Sequence, residues 1–227
     1  YLQAGFDYLY DKVGMYDTVR AVMCGQTSTQ AITHAWQQTD DIHTHMLYFL
    51  ENHDEQRIAS HFFAGRAEKG VPATIATALM RTNPVMLYAG QEYGEQGMDS
   101  EGFSGKDGRT TIFDYWCVPS LYHAYVDRRK LTAEEKHLHT AYQAILQIAT
   151  KEKAVAEGEF FDLMYVNQHL HDVYAYLRKA GNELLLVVAN FSERENIALV
   201  NIPAHAMRYL NIPAASYRAL DWLTGEN

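Results

Sequence analysis

The sequence predicts an α/β unit followed by a smaller, all-β unit. In the first two thirds of the chain, three short apolar runs alternate with helical patterns. Continuous apolar runs between helices are typical of parallel strands that are covered on both faces. Further along, apolar runs follow one another without helices between them, which is typical of an antiparallel sheet. We therefore place an α/β unit over residues 1–150 and a small antiparallel β-sandwich over residues 151–227.

The α/β unit is predicted to follow the order β-α-β-α-β. Its strands are predicted over residues 5–10, 46–50 and 85–89, and its helices over residues 18–23, 29–38 and 71–81. Asp17 and Ser28 are typical N-cap residues for the first two helices. Thr132 and Glu135 have the spacing of a capping box, which predicts a further helix behind them.

The all-β unit is predicted from five apolar runs. These runs cover residues 160–166, 173–178, 184–191, 197–202 and 217–223. Gly181 and Asn182 lie between the second and third runs and are typical of a two-residue hairpin turn. Several short strands joined in this way predict the sandwich.

The composition argues against two kinds of partner. Among 227 residues, 19 are Lys or Arg and 28 are Asp or Glu, which gives a net charge of −9. Nucleic acid is not expected, because phosphate binding needs clustered basic residues. A membrane is not expected either, since the apolar runs are far too short to span a bilayer.

The cysteine content bears on the compartment but does not fix it. Cys24 and Cys117 are too few for a disulfide framework, and we expect two free thiols rather than one bridge. These features favour a soluble protein of the cytoplasm or periplasm over a disulfide-rich extracellular protein.

Two further patterns bear on function. Six glycines lie between residues 90 and 108, a stretch too long for an ordinary connection, which predicts a functional loop. Three His-x-His pairs occur, at residues 43/45, 137/139 and 169/171. Because residues i and i+2 share a face only in a strand, and no third ligand is evident, we expect no metal site in this chain.

The densest group of candidate functional residues follows the second predicted strand. Residues 49–57 read FLENHDEQR, so a buried strand ends and charged or titratable groups follow at once. In parallel α/β domains, ligands bind at the carboxyl ends of strands. A carboxylate beside an imidazole there suits recognition of hydroxyl groups or stabilisation of positive charge. A capped turn leading into the next helix fits the same spacing equally well.

A family resemblance favours the first interpretation. FLENHDEQR resembles the fourth conserved region of glycoside hydrolase family 13, the α-amylase family, in which Asn-His-Asp follows the seventh strand of a (β/α)8 barrel. Residues 82–94, TNPVMLYAGQEYG, look like the eighth strand, and residues 5–12, GFDYLYDK, look like the sixth. Residues 178–192 are similar to the β-domain that follows the barrel. The resemblance implies a partial TIM barrel, about strands six to eight, and then a β-sandwich.

Residue roles follow from the resemblance by position. Asp54 matches the third catalytic carboxylate of the family, which stabilises the transition state and binds sugar hydroxyls. His53 matches the imidazole that hydrogen-bonds the sugar at the cleavage site. Asn52 is expected to hold the turn, and Arg57 is expected to hold the Asp54 loop or a neighbouring carboxylate. Both residues are also candidate substrate-binding residues.

Other side chains could reach the same cleft. Asp11, Gln91 and Glu92 lie at predicted strand ends, so they are candidate substrate-binding residues, although a structural role is the more frequent one at such positions. Tyr93 and Trp116 could stack on sugar rings, since aromatic side chains present flat apolar faces.

The chain also departs from the family pattern. Retaining glycosidases need a nucleophile and an acid/base, two carboxylates about 5–5.5 Å apart. The family's Gly-Phe-Arg-x-Asp nucleophile motif is not found in this sequence, and no acid/base strand end is recognised. We therefore expect the missing N-terminal half of the barrel to carry these two groups, and the isolated chain to be inactive. Residues 221–226 resemble the middle of the family's β-domain, so a last strand could be absent as well.

These observations predict part of an α-amylase-type hydrolase or transglycosylase that acts on α-glucans such as starch or maltooligosaccharides. No cofactor is expected in this chain, although the resemblance implies that the full-length enzyme could hold calcium. The open barrel edge predicts pairing with the missing half or self-association. The main alternative is a non-catalytic carbohydrate-binding or scaffold protein. A third is an unrelated α/β protein in which Asn-His-Asp only forms a turn.

Overall fold

The computed structural model describes residues 1–97, 107–110, 112 and 118–225. These residues form two three-stranded sheets and seven α-helices. The strands are β1 Leu9–Tyr10, β2 Met46–Phe49, β3 Val85–Met86, β4 Glu159–Asp162, β5 Val173–Ala180 and β6 Glu183–Asn190. The α-helices are α1 Asp17–Met23, α2 Gln30–Gln37, α3 Gly70–Ala78, α4 Pro119–Tyr125, α5 Ala133–Lys151, α6 Lys153–Ala156 and α7 Ala204–Tyr209. A π-helical turn covers Lys12–Tyr16, and short 3-10 turns include Asp40–His45 and Gln91–Tyr93.

The first sheet is parallel and has the order β1-β2-β3. The central strand β2 pairs on both sides, through Leu9 with Met46 and Tyr48 with Val85. Helices connect the strands, so the predicted order β-α-β-α-β is confirmed. The outer strands are shorter than predicted, because β1 and β3 each pair on one side only within the described residues.

The predicted helices are present with shifted ends. The capping box is confirmed, since Thr132 Oγ1 accepts from the Glu135 amide and the Glu135 carboxylate accepts from the Thr132 amide. Asp17 is the first residue of α1 rather than its cap, because the π-helical turn already precedes it. Ser28 Oγ accepts from the Gln30 amide at 3.2 Å, as expected for a residue that opens α2.

The second sheet is antiparallel, with β5 between β4 and β6. The predicted hairpin is confirmed, since Ala180 pairs with Glu183 across Gly181 and Asn182. Gly181 has φ +52°, a left-handed conformation that favours glycine in a two-residue turn.

The predicted second layer of a sandwich is not confirmed. Within the described part of the chain, residues 197–202 and 217–223 form no strand. Ile197 and Leu199 are exposed, and α7 occupies the segment between the two runs. The antiparallel sheet packs instead against α3 and α6, so a helical layer covers the face that the sandwich prediction assigned to strands.

The two sheets share one hydrophobic core. Side chains on α1, α3, β2, β5 and β6 belong to a single buried cluster. Arg178 on β5 donates to the carbonyls of Met80, Ala154 and Val155, and burial lowers its pKa to about 10. Tyr176 donates to the Ile75 carbonyl at 3.0 Å. The proposed boundary after residue 150 falls in the last turn of α5, and this division stays a prediction.

Two other predictions concern membrane-spanning segments and the cysteines. Within the described residues, no helix is long and apolar enough to cross a membrane. Cys24 Sγ donates to the Phe63 carbonyl at 3.6 Å, whereas Cys117 lies outside the described residues.

Candidate active site

The carboxyl ends of the parallel strands meet at one edge of the first sheet. Asp11 follows β1, residues 50–54 follow β2, and Gly90 and Gln91 follow β3 after a short extension. In parallel sheets this edge is where ligands bind. The residues selected from the sequence therefore belong to one end of the sheet.

Asn52 shapes the turn that presents the candidate catalytic residues. Its Oδ1 accepts from the backbone amides of Asp54 at 2.9 Å and Glu55 at 3.0 Å. Asn52 itself is buried, so its amide group works inside the turn. An Asn that hydrogen-bonds the backbone two residues on is a typical turn former, which agrees with the role expected for it.

His53 and Asp54 lie together on the open side of this turn. Their side chains are 51% and 65% exposed, and His53 Nε2 lies 3.5 Å from Asp54 Oδ2. The backbone amides that Asn52 holds fix the turn, while both side chains keep their polar atoms accessible. The pair can therefore offer an acceptor and an imidazole to a ligand at the strand ends.

Arg57 lies behind the turn and is almost fully buried, as is its partner Glu51. Arg57 Nη1 donates to Glu51 Oε2 at 2.7 Å, and Nη2 donates to the Ala89 carbonyl at 2.9 Å and to Thr110 Oγ1. The guanidinium also lies over the Tyr88 ring, 4.2 Å from its centroid. Arg57 therefore joins the end of β2 to the chain beyond β3, and its donors are engaged within the protein.

Glu51 is the buried carboxylate that Arg57 satisfies. Its other oxygen accepts from the Ile58 amide at 2.6 Å, so both oxygens are bonded. Complete burial raises the pKa of Glu51, and the Arg57 guanidinium opposes that rise. The sequence analysis assigns Glu51 no role, although a carboxylate directly before Asn-His-Asp at a strand end indicates a partner for a nearby basic group.

Asp11 is buried at the end of β1 and opens the π-helical turn. Its Oδ1 accepts from the Met15 amide at 2.8 Å, and its Oδ2 is buried without a hydrogen-bond partner. Burial raises the pKa of Asp11, while the Met15 and Gly14 amides lower it. A Cβ on Gly14 would lie 2.5 Å from Asp11 Oδ1, so this close approach requires glycine.

Gln91 and Glu92 are also buried, and both engage their own chain. Gln91 Nε2 donates to Tyr142 Oη on α5 at 3.2 Å, which turns it toward the helical layer. Glu92 Oε2 accepts from the Gly90 amide at 3.0 Å and closes the turn after β3. Gln91, Glu92, Arg57 and Asp11 are all buried, which does not favour direct contact with a ligand. Their roles in substrate binding stay predictions.

Two supporting groups were not anticipated from the sequence. Glu55 accepts from Tyr16 Oη at 3.1 Å, and Lys12 Nζ lies 3.4 Å from it, which ties the turn to the element after β1. Glu95 accepts from the Ser120 hydroxyl and from the Gly97 amide, and so anchors the beginning of the glycine-rich stretch. Glu55 lies within FLENHDEQR but is assigned no role there, and Glu95 belongs to no recognised motif.

The predicted sugar-stacking residues and the predicted glycine-rich loop are only partly described by the structure. Tyr93 is buried and stacks on His139 at 4.8 Å, so it packs inside the protein. Trp116 and residues 98–106 of the predicted functional loop lie outside the described residues.

Metal ligands are not assembled in the described part of the chain. No group of three or more His, Cys, Asp or Glu residues there could hold a metal ion. Two of the paired histidines, His43 and His45, bond the separate carbonyls of Asp40 and Asp7. Calcium in a full-length enzyme stays a prediction.

Comparison with known families decides the classification. The family described as alpha amylase, catalytic domain, matches residues 7–158, which is more than half of the chain. The chain belongs to the α-amylase family. Membership accounts for the parallel sheet with Asn-His-Asp at its carboxyl edge, which is part of the TIM barrel of that family. No curated protein matches the chain at a significant level.

Solved structures agree with this fold. A noncanonic maltogenic α-amylase, AmyB from Thermotoga neapolitana, is 21% identical with a TM-score of 0.58, covering 84% of this chain and 39% of that one. AmyP in complex with maltose is 17% identical with a TM-score of 0.58, covering 82% and 40%. A γ-cyclodextrin glucanotransferase from alkalophilic Bacillus clarkii is 19% identical with a TM-score of 0.54, covering 80% and 23%. The chain thus spans two fifths or less of the length of these three relatives.

Proposed function

We propose that this α-amylase family chain forms part of a retaining glycoside hydrolase or transglycosylase that acts on α-glucans such as starch or maltooligosaccharides. The observation that carries the proposal is the exposed His53–Asp54 pair at the carboxyl edge of the parallel sheet. Structures of the relative AmyP contain maltose and maltotriose. We take the same class of ligand as the substrate of this chain.

The chemistry assigned to the pair follows from charge. A retaining reaction passes through a transition state with positive charge on the sugar ring. The Asp54 carboxylate would stabilise that charge and accept from a sugar hydroxyl, because an ionised carboxylate is a strong acceptor. His53 would hydrogen-bond a second hydroxyl and so orient the ring beside Asp54.

The buried residues behind the pair are assigned positioning roles. Asn52 fixes the backbone of the turn, and Arg57 with Glu51 locks the chain that follows it to β3. Arg57 would therefore act on substrate only through the geometry of this turn. Asp11, Gln91 and Glu92 would support the strand ends in the same way.

The nucleophile and the acid/base are proposed to come from residues outside this chain. The Gly-Phe-Arg-x-Asp motif is not found in the sequence, and Asp54 alone cannot form a glycosyl-enzyme and also protonate the leaving oxygen. We therefore expect the isolated chain to release no reducing sugar from maltooligosaccharides. The open edge of β1 would pair with further barrel strands or with a second copy.

The first experiment is to sequence the coding DNA upstream of Tyr1. An open frame that encodes a Gly-Phe-Arg-x-Asp strand end and then a Glu strand end would support the enzyme. Asp54→Asn in that longer protein should then lower kcat by about 10²–10³-fold, because an electrostatic contact to developing charge is lost. Asp41→Asn, an exposed change at the opposite end of β2 from Asp54, is the matched control and should leave kcat unchanged.

Two outcomes would oppose the proposal. A start codon close to Tyr1 with neither motif would favour a non-catalytic carbohydrate-binding or scaffold protein. Full activity of Asp54→Asn in the longer protein would remove the catalytic role of this carboxylate and leave the Asn-His-Asp segment as a turn only.

A further inference from the structure

A second candidate site lies at the opposite end of the parallel strands. A cavity of about 540 Å³ opens between α2, the 3-10 turn Asp40–His45 and β4. Arg81 and Thr82 line it just before β3, whereas Asp54 follows β2 at the carboxyl end. The volume lies in the range of small-molecule sites. Neither His53 nor Asp54 borders it.

Arg81 is the central polar group of the cavity. It is 9% exposed, and its Nη1 donates to Asp40 Oδ1 at 2.7 Å. Its Nε is buried without a hydrogen-bond partner, and Nη2 has none among the described residues. The guanidinium therefore keeps unused donors, although a buried polar group normally has a partner.

Aromatic rings form the walls beside this guanidinium. Arg81 lies over Trp36, 4.5 Å from the ring centroid, and over Phe160 at 5.0 Å. Trp36 and Phe160 meet edge to face at 5.2 Å. Tyr165 and Tyr209, both partly exposed, line the outer part of the cavity. Flat apolar surface therefore adjoins a polar centre, a combination that suits a ring with polar edges.

The charges of the lining exclude one class of ligand. Among the described lining residues, the carboxylates are Asp40, Glu159 and Asp162 and the permanent cations are Arg81 and Arg178. Arg178 already gives its donors to three carbonyls, so only Arg81 keeps donors for a ligand, and the three carboxylates outnumber the two cations. An anion would meet more negative than positive charge at this site.

The remaining hydrogen-bond capacity selects the ligand chemistry. The unused donors of Arg81 can take an acceptor from a ligand, whereas Asp40 Oδ2 and the exposed Glu159 carboxylate, which already accepts from Tyr209 Oη at 3.4 Å, can accept further hydrogen bonds. A hydroxyl group can both donate and accept, but an ammonium group can only donate. We propose that this cavity is a second binding site that takes a short, neutral saccharide. The proposal rests on the cavity alone and does not depend on the function of Asp54.

The test uses the ¹⁵N-labelled chain with Asp54→Asn, so that the strand-end site is altered throughout. Maltotriose and cellotriose are added in turn, and the indole N–H resonance of Trp36, assigned with Trp36→Phe, is followed by NMR. We expect a saturable shift with at least one saccharide and none with inorganic phosphate. Asp40→Asn should weaken the apparent Kd by about tenfold, since a hydrogen bond to a charged group is weakened.

The controls separate this site from folding effects and from the first site. Asp41→Asn removes a neighbouring exposed carboxylate that does not line the cavity, and it should leave the Kd unchanged. Glu159→Gln tests a second lining carboxylate on another element and should also weaken binding. Thermal melting checks that each variant is folded.

The proposal is overturned if neither saccharide moves the Trp36 resonance at about 10 mM, or if phosphate alone moves it. Equal Kd values for folded Asp40→Asn and Asp41→Asn would overturn it as well. A failed catalytic role of Asp54 would leave these results unaffected, because every measurement is made in the Asp54→Asn background.

Discussion

Arg57 and Glu51 form a fully buried ion pair directly behind the turn that carries Asp54. Removing one partner from such a pair leaves an uncompensated charge in the interior. Arg57→Ala should therefore lower the free energy of unfolding by about 3–5 kcal/mol, measured by urea denaturation. Arg66→Ala breaks the exposed Arg66–Glu68 pair and should cost no more than about 1 kcal/mol. Equal losses in the two variants would contradict the structural role of Arg57.

Asp11 gives a prediction about pH. Because burial raises its pKa in the folded state, its contribution to stability is full below its unfolded pKa and is lost as pH rises through the folded value. Asp11→Asn keeps an oxygen for the Met15 amide but cannot ionise. Relative to the original chain, the variant should therefore gain free energy of unfolding as pH rises from about 4 to 7.

Urea denaturation at several pH values measures this difference. Asp41→Asn, on an exposed side chain, is the control and should not reproduce the trend. The prediction fails if the difference in free energy of unfolding between Asp11→Asn and the original chain stays constant or falls as pH rises. The ionised form of Asp11 would then not be destabilised by burial.

At the scale of single residues, the sequence predicted a candidate site at the end of β2 but not which of its side chains are buried. Asn52, His53 and Asp54 are predictable as strand-end residues because a polar motif follows an apolar strand. Arg57, Asp11 and Gln91 have equally polar side chains, but they are buried. Their direction depends on partners far along the chain, such as Ala89 for Arg57 and Tyr142 for Gln91, which no local pattern reveals.

At the scale of elements, β1 is one of the two open edges of the parallel sheet within the described residues, and aromatic side chains lie in and beside it. Phe6, Tyr8 and Tyr10 are each more than half exposed. We expect the chain to self-associate through this edge as its concentration rises, since unpaired strand edges promote pairing. Tyr8→Lys should weaken the association, measured by sedimentation velocity, because charge at an edge opposes pairing.

Tyr217→Lys provides the matched control for this edge. Tyr217 is 56% exposed against 55% for Tyr8, but it lies in the C-terminal segment without strand structure. It should leave the association unchanged. A chain that stays monomeric at high concentration, or equal effects of the two lysines, would contradict pairing through β1.

The elements that the sequence predicted correctly are those with local signals. The capping box of α5 and the Gly181-Asn182 hairpin depend on neighbouring residues, and both are confirmed. Strand formation at residues 197–202 and 217–223 depends on a partner strand, which the described residues do not supply there. Apolar composition alone therefore overestimated the number of strands.

At the scale of the whole molecule, the two units predicted from composition are joined more closely than the pattern change suggested. Thr29, before α2, donates to the Val173 carbonyl at 2.9 Å, and Arg178 reaches the end of α3 through Met80. These contacts link residues more than 90 positions apart. A change in hydrophobic period marks where the secondary structure changes, but it does not report how much surface the two parts share.

The shared core has a consequence for how the chain opens. Helix α3 contacts β2 on one side and β6 on another, so it backs the strand that leads to Asp54 and also the hairpin. Release of the hairpin would leave apolar side chains of α3 bare, and the strand behind the turn would lose its support. We therefore expect the amides of β2 and β5 to exchange as one cooperative unit, so that the hairpin stabilises the turn indirectly, through α3.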